Sequence, residues 1–454
     1  MVLQFPELLK TPKKINQIKK ISPVIENILW LIANRVVRIG LGIITLGAIA
    51  RHLGVHDFGS LNYAISFAAI FGPLASVGLE GVVIREQLKN PEIAPRILAT
   101  SFWLRLIGGC LAMCAAFGLA LILGDSFYGA LLVLIVATGF LPSAFEVVEL
   151  HFQKDVRAKV TVRIRFIAIL ISASFKLGLV ATGSPLIWFA VMQAFEQALL
   201  AGGLWYIYSA NGEKLLTQRP SKEYALRLIK QSWAIVLSGL TVAIYFRSEQ
   251  VVIKSLLGDT SLGLYSASLR IMELWGFVSS AIVTTVFPLL VGMKTNNPER
   301  FRQSVQIIYD ILTWAGVIVA VSVTFLAPHV VPTIYGNEFK ASIPVLLIHA
   351  WTAPVTFAAS LRSMMMILEE QSHQHLPIAL GGLLLYLPCT IFLTSLFGIT
   401  GAAISLLANY WITGYASSFL IPALKKDGYA QSLAIVAPFR VISIIRSIKY
   451  ICKT

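Results

Sequence analysis

Charged residues are scarce in this chain, and the motifs of several enzyme classes are missing from it. Only 13% of its 454 residues are charged, against 57% that are hydrophobic, whereas soluble domains carry about 25% charged residues. This balance excludes an ordinary soluble globular protein. The sequence has no P-loop, GxSxG or HExxH motif, which argues against ATP-driven transport by this chain. We therefore expect no enzymatic activity and no cofactor.

Cysteine is also rare. The chain has four cysteines, of which Cys110 and Cys114 stand one helical turn apart within a single apolar run. Cys389 lies in another apolar run, and Cys452 is near the end of the sequence. Packing among apolar side chains explains the first three better than disulfide or metal chemistry does. We predict no metal site.

Long apolar runs fill most of the remaining sequence. They recur from end to end, and each has at least 18 residues, enough to cross about 30 Å of hydrocarbon as a helix. This pattern predicts an all-α polytopic membrane protein with about twelve transmembrane helices. The predicted spans are 24–50, 58–80, 97–123, 127–150, 160–182, 185–209, 224–246, 262–291, 304–327, 341–368, 376–396 and 399–422.

Basic residues are distributed unevenly between the two sides of these spans. The net charge of +15 is by itself compatible with a nucleic-acid partner. However, the N-terminal arm, the even-numbered loops and the C-terminal tail hold 23 Lys and Arg, against four in the odd-numbered loops. This asymmetry is the positive-inside signal. It predicts cytoplasmic N- and C-termini, and it explains the basic excess without nucleic acid.

Two sets of six predicted spans resemble each other. LGVHDFGSLNYA (53–64) aligns with LGDTSLGLYSAS (257–268) at an offset of 204, and LGDSFYGA (123–130) aligns with YGNEFKAS (335–342) at an offset of 212. Convergent loop composition is the alternative explanation. Duplication predicts two pseudo-symmetric lobes with a transport path between them. The paired glycines are Gly54 and Gly258, Gly59 and Gly263, and Gly124 and Gly336.

The longest polar break between spans lies near the midpoint and separates the two sets. Near the C-terminus, residues 431–454 are apolar but interrupted by Pro438, Arg440, Arg446 and Lys449. This composition favours an amphipathic helix on the anionic inner leaflet over a thirteenth span. The predicted organisation is a basic cytoplasmic arm (1–23), an N-lobe (24–209), a cytoplasmic linker (210–223), a C-lobe (224–422) and a basic amphipathic cytoplasmic tail (423–454).

The first predicted span carries polar residues at membrane depth. Asn27, Asn34 and Arg38 follow one another at intervals of seven and four, so they share one helical face, and Arg35 lies beside them. An arginine in the bilayer costs at least about 2.5–3.5 kcal/mol on insertion scales. Either a carboxylate of another helix, such as Glu80, pairs with these arginines, or they face a hydrated cavity that attracts anions.

The second half carries related polar positions. At the offset of 204, Gln231 and Ser238 correspond to Asn27 and Asn34, and we predict that all four line a shared cavity. Arg270 is another cation at membrane depth, and the carboxylate three residues later either neutralises it or leaves it to contact substrate. The candidate carboxylates for ion coupling are Glu80, Glu196, Glu273 and Asp310.

Two stretches resemble the polysaccharide-export flippases of the multidrug/oligosaccharidyl-lipid/polysaccharide superfamily. RHLGVHDFGSLNYAISFAAIFGPLASVGLEGVVIRE (51–86) is similar to the second-helix signature of that family, including its LG-x3-FG entry and the closing Arg85–Glu86 pair. IYGNEFKAS (334–342) is similar to the second-lobe loop of the family. The resemblance extends over residues 24–422 and implies the same fold.

This resemblance implies a function. Such a flippase carries an oligosaccharide, joined through diphosphate to a polyprenol, from the cytoplasmic to the outer leaflet of the bacterial inner membrane by alternating access. In related lipid flippases, cavity arginines of the first, second and eighth helices hold the diphosphate. Arg35, Arg38 and Arg270 stand in comparable places, and Arg51 is a fourth candidate. The implied partners are membrane lipids and the polysaccharide polymerase and chain-length machinery.

Two other functions fit parts of the sequence. A drug or cation antiporter would share the fold, but its cavity should favour carboxylates, whereas the first span offers arginines. A membrane glycan polymerase or acyltransferase usually has a large outer loop or a polar catalytic histidine. No predicted outer loop is long, and we expect His349 to be a packed residue of the tenth span.

Overall fold

The computed structural model describes residues 12–155, 158–212 and 219–437, without the side chains of residues 12–39, 158, 277, 295 and 296. Within these ranges the chain forms helices and contains no β-strand, as the predicted all-α class requires. The α-helices are α1 (Pro12–Ile70), α2 (Gly72–Ser76), α3 (Glu80–Lys89), α4 (Ala94–Ile122), α5 (Phe127–Ala137), α6 (Phe140–Ser143), α7 (Val147–Lys154), α8 (Ala158–Ala181), α9 (Leu186–Ala210), α10 (Lys222–Asn296), α11 (Pro298–Tyr335), α12 (Ile343–Ala350), α13 (Ala353–Leu368), α14 (His375–Trp411), α15 (Ser417–Leu420) and α16 (Lys425–Ile435).

Three of the long helices are interrupted by a glycine. Gly54 in α1, Gly258 in α10 and Gly398 in α14 have φ values of 72°, 81° and 60°, a conformation that costs other residues about 1–2 kcal/mol. In the described chain, seven helices are long and apolar enough to cross a membrane, and the number is nine if each of two bent helix pairs is counted as one span. Dividing α1, α10 and α14 at these glycines gives twelve. We call the helices of residues 12–210 the N-lobe and those of residues 222–420 the C-lobe.

The two lobes cross where two glycines of the sequence repeat meet. A Cβ atom on Gly59 would overlap the carbonyl oxygen of Asp259, and a Cβ atom on Gly263 would overlap the carbonyl oxygen of Val55. Val55 and Asp259 are also 204 residues apart, as Gly59 and Gly263 are. The two contacts are therefore equivalent, and exchanging the lobes converts one into the other. Such reciprocity requires an approximate twofold axis between α1 and α10. It confirms the predicted pseudo-symmetric architecture.

Ion pairs join the lobes beside this crossing. Lys254 of α10 lies 3.3 Å from Asp125, which follows α4, and 3.5 Å from Asp259. Its ammonium group also lies 3.7 Å from the ring centroid of Tyr63 on α1. These residues are at the helix ends that the charge asymmetry predicts to face outward. The lobes are therefore held together at those ends.

A second set of polar contacts joins the lobes at the opposite ends of the helices. Gln231 of α10 accepts a hydrogen bond from Arg85 of α3 at 2.6 Å and donates one to Glu86 at 3.3 Å. Arg227, one turn earlier on α10, lies 3.6 Å from the carboxylate of Glu86. The start of α10 is thus anchored to the N-lobe.

The first part of the predicted tail packs on the C-lobe. The hydroxyl of Tyr309 on α11 donates to Asp427 of α16 at 2.8 Å, and the indole N–H of Trp314 donates to the carbonyl of Ala434 at 3.0 Å. Burial raises the pKa of Asp427 to about 6. Residues 438–454, which complete the predicted amphipathic tail, lie outside the described residues.

Candidate functional site

A cavity of about 660 Å³ lies between the two lobes. Its walls come from α1, α8 and α9 of the N-lobe and from α10 and α11 of the C-lobe. Most of the lining is apolar, and its few polar groups are therefore able to orient a ligand. The polar and charged residues of the lining include Thr45, Asn62, Lys176, Gln193, Glu196, Arg270 and Glu273.

The C-lobe wall carries a guanidinium group. Arg270, whose side chain is 27% exposed, lies 3.2 Å from Glu273, three residues later on α10. Glu273 also lies 3.6 Å from Arg247. Arg270 donates a second hydrogen bond to the side chain of Asn62 on α1, at 3.3 Å, and so reaches across the cavity to the other lobe. Two guanidinium groups thus share the carboxylate of Glu273, although Arg247 borders a second cavity of the C-lobe rather than this one.

The N-lobe wall is built from facing turns of α8 and α9. Lys176 lies 2.8 Å from Glu196 and donates to the side-chain oxygen of Gln193 at 3.3 Å. The hydroxyl of Ser172 also donates to Glu196, at 2.8 Å. Ser172 and Lys176 are four residues apart, and Gln193 and Glu196 are three apart, so each pair shares one helical face. The ammonium and the carboxylate neutralise each other on this wall.

The side chains of Asn27, Asn34, Arg35 and Arg38 lie outside the described residues. The next part of α1, residues 41–49, contributes lining residues of the cavity. The prediction that these four side chains face the same cavity therefore stays a prediction.

The side chain of Arg51, a residue of α1, contacts the C-terminal end of α11. Its guanidinium donates to the carbonyl of Ile334 at 3.0 Å, to that of Pro332 at 3.4 Å, and to that of Thr333. These are among the last carbonyls of α11, at the helix end that attracts cations; the carbonyl of Pro332 also accepts the backbone N–H of Gly336 at 3.0 Å. Arg51 thus joins the lobes, and it borders a neighbouring groove rather than the main cavity.

Four further candidates from the sequence do not line the cavity in this conformation. Gln231 is engaged in the contact with α3 described above, and Ser238 is half-buried elsewhere on α10. Glu80 is exposed and lies 3.8 Å from Arg105. Asp310 accepts a hydrogen bond at 2.9 Å from the glutamine one turn earlier on α11. Of the candidate carboxylates, the structure brings only Glu196 and Glu273 to the cavity wall among the described residues.

The sequence reasoning missed one buried carboxylate. Glu249 is 3% exposed, accepts hydrogen bonds from the hydroxyl groups of Tyr265, at 2.9 Å, and Tyr386, and borders a second cavity of about 300 Å³ inside the C-lobe. The hydroxyl of Tyr265 is also 3.2 Å from a ring nitrogen of His349. The other ring nitrogen lies 3.3 Å from Ser268. His349 is thus a packed residue, as expected.

The position of the seventh span explains this omission. The predicted span ended at residue 246, which put Glu249 in a loop. In the structure α10 continues to its interruption at Gly258, so Glu249 lies within the helix. Gly258, rather than the end of the apolar run, was the sequence signal that could have placed Glu249 within the helix.

Known proteins resemble this chain in sequence. A family model described as "Polysaccharide biosynthesis protein" matches residues 48–344. The succinoglycan biosynthesis transport protein ExoT of Rhizobium meliloti is 23% identical over 338 residues, which are 71% of this chain and 65% of that protein. The lipopolysaccharide biosynthesis protein WzxC of Escherichia coli is 23% identical over 335 residues, 70% of this chain and 64% of that protein. The chain thus spans just under two thirds of each relative.

Solved structures resemble it in fold. The lipid II flippase MurJ in an inward closed conformation superposes with a TM-score of 0.70 at 14% identity, covering 94% of this chain and 96% of that one. An inward-facing multidrug resistance MATE family transporter of the MOP superfamily gives a TM-score of 0.67 at 15% identity, covering 86% and 96%. At these identities the likeness shows the fold alone. It confirms the predicted all-helical transporter fold.

Proposed function

Because the chain belongs to the polysaccharide biosynthesis protein family, we propose that it is a flippase for polyprenyl-diphosphate-linked oligosaccharides. It carries them from the cytoplasmic to the outer leaflet of the bacterial inner membrane, with both of its own termini in the cytoplasm. The polysaccharide polymerase and chain-length machinery would receive the glycan. The observation that carries this proposal is the cavity between the lobes, with Arg270 on its C-lobe wall.

The charge of this wall suits such a substrate. A diphosphate diester carries about two negative charges, and their passage through hydrocarbon without compensation is prohibitive. Guanidinium groups stay charged and offer planar donors that match phosphate oxygens. Arg270 shares the carboxylate of Glu273 with Arg247, so its guanidinium is only partly neutralised and stays available to the diphosphate. Arg35 and Arg38 are the further arginines that we propose for this role.

The contacts between the lobes suggest how access alternates. The crossing of Gly59 with Gly263 and the ion pairs of Lys254 hold the lobes together at the ends predicted to face outward. Opening these contacts, with the prenyl tail remaining in lipid, would expose the cavity to the outer side. A membrane potential, negative inside, favours outward movement of an anion by about 2.3 kcal/mol per charge per 100 mV. Flipping in proteoliposomes should therefore slow when the potential is collapsed.

Ion coupling is the competing source of drive. Glu196 and Glu273 line the cavity, and Glu249 is buried behind it, so each is a candidate to bind a proton or a sodium ion during the cycle. If a proton or sodium gradient sets the rate of flipping when the potential is held at zero, this mechanism replaces the first.

Transport of amphipathic cations is the second candidate function. A transported cation would require carboxylates in the cavity, and Glu196 and Glu273 both line it. The structure therefore supports cation transport more strongly than the sequence alone, in which the arginines of the first span argued against it. One experiment separates the two functions. Proteoliposomes containing the purified protein are supplied either with a fluorescent polyprenyl-diphosphate oligosaccharide or with an amphipathic cation. We expect protein-dependent movement of the lipid-linked glycan only, and movement of the cation alone would refute the flippase.

A further inference from the structure

One donor and one acceptor are available on the N-lobe wall of the cavity. Among the described residues, Ser172 and Lys176 both bond to the Oε2 atom of Glu196, and Gln193 uses only its Oε1 atom. This leaves Oε1 of Glu196 to accept and Nε2 of Gln193 to donate. Both residues line the cavity, and the Glu196 side chain is 29% exposed.

Charge favours a neutral ligand at this position. Lys176 is only 13% exposed, and its ammonium group is bound to both Glu196 and Gln193. The single positive charge of this wall is therefore compensated by a carboxylate 2.8 Å away. On the C-lobe wall, in contrast, Arg270 shares the carboxylate of Glu273 with Arg247 and is only partly neutralised. A phosphate group is accordingly attracted to the C-lobe wall rather than to α9.

A sugar is the ligand that matches the available atoms. A hydroxyl group both donates and accepts hydrogen bonds, so two neighbouring hydroxyls can bond to a carboxylate oxygen and an amide N–H at once. Gln193 and Glu196 are three residues apart on α9 and therefore stand side by side. We propose that they form a subsite for the sugar that is attached directly to the diphosphate. This inference rests on the proposed flippase function, and it places the first sugar against α8 and α9 and the diphosphate toward Arg270 on α10.

The test measures binding of lipids with and without that sugar. The probes are a polyprenyl diphosphate and the same lipid carrying a single glucose, galactose or N-acetylglucosamine, and the protein is in lipid nanodiscs. The wild-type protein should bind at least one of the glycosylated lipids more tightly than the bare lipid. Gln193→Ala should weaken binding of that lipid by about threefold to tenfold, the value of one hydrogen bond, and leave binding of the bare lipid unchanged.

Two further variants keep the test decisive. Gln193→Met has nearly the shape of glutamine without its donor and should reproduce the result if Gln193→Ala does not fold. Gln197→Met changes a glutamine one turn later on α9 that does not line the cavity, and it should leave binding of every probe unchanged.

Several outcomes would overturn the subsite. These are no preference of the wild type for any glycosylated lipid, equal weakening of bare and glycosylated lipids by Gln193→Ala, or no weakening at all. Failure of the flippase proposal looks different, because the bare polyprenyl diphosphate would then not bind in a manner that depends on Arg270.

Discussion

The N-lobe and the C-lobe share the glycines of their contact but not the side chains of their cavity walls. Gly54 and Gly258 both have positive φ and interrupt their helices, and Gly59 and Gly263 make reciprocal contacts. The cavity residues have diverged. Arg270 corresponds, at the offset of 204, to a buried serine of α1. The glycines of the helix crossing are thus repeated in both lobes, whereas the charged residues of the cavity walls are not.

The helix crossing and the cavity walls meet different physical requirements. Close crossing of two helices requires glycine in both copies, since any Cβ atom would overlap a carbonyl group of the other lobe. The proposed substrate has no symmetry, because its diphosphate is bonded to a prenyl chain on one side and to a sugar on the other. Two chemically different walls suit such a substrate better than two equal ones.

The largest effect is expected at the crossing. Gly59→Val and Gly263→Val each place a side chain on a carbonyl group of the other lobe, and each should destabilise the protein by about 3 kcal/mol or more. Thermal unfolding of purified protein in detergent measures this loss. Gly178→Val, at an exposed glycine of α8 with open space around it, is the control. If only one of the two crossing variants is destabilised, the contact is not symmetric.

The next effect concerns α16, which packs on the C-lobe and extends it beyond its six spans. The pKa of Asp427 is about 6, against 3.8 without burial, so the folded protein binds this proton more tightly than the unfolded chain. Stability therefore falls as pH rises from about 4 to 6. Asp427→Asn keeps an acceptor for Tyr309 and should stabilise the protein at pH 7 by on the order of 2 kcal/mol.

Melting temperatures between pH 4 and 8 test this prediction. The stabilising effect of Asp427→Asn should be small at pH 4 and reach its full size above pH 6. Glu92→Gln, at an exposed position between α3 and α4, should show no such dependence. Parallel curves for the Asp427 variant and the wild type would contradict the assignment.

A smaller effect separates the two ends of the lobe contact. Lys254→Gln removes the ion pairs beside the crossing, and Gln231→Ala removes the contact with α3. Each should shift the equilibrium between conformations by about tenfold, in opposite directions. Distances between spin labels at the outer helix ends should lengthen for Lys254→Gln only. Lengthening in both variants would show that these contacts do not hold different states.

The fold could be predicted from the sequence because hydrophobic length and paired glycines are local signals. Arg270, Glu196 and Glu273 were also recognised as candidates, since charge at membrane depth is conspicuous. Lys176 and Gln193 were not nominated as site residues. Their meeting depends on how α8 and α9 are rotated against each other, which periodicity alone does not determine. Glu249 was missed because an apolar run does not mark where a helix ends.

Among the described residues, the positive charge available to substrate lies at Arg270 of α10 and not at Lys176 of α8. The direct test is the affinity of nanodisc-embedded protein for a polyprenyl diphosphate without sugar. Arg270→Gln should weaken binding by about tenfold or more, as expected for a lost charge-assisted contact. The double variant Lys176→Gln/Glu196→Gln, which removes a neutral pair, should stay within about twofold of the wild type, given that a neutral pair adds little net attraction. Equal losses in both, or a larger loss in the double variant, would contradict the account.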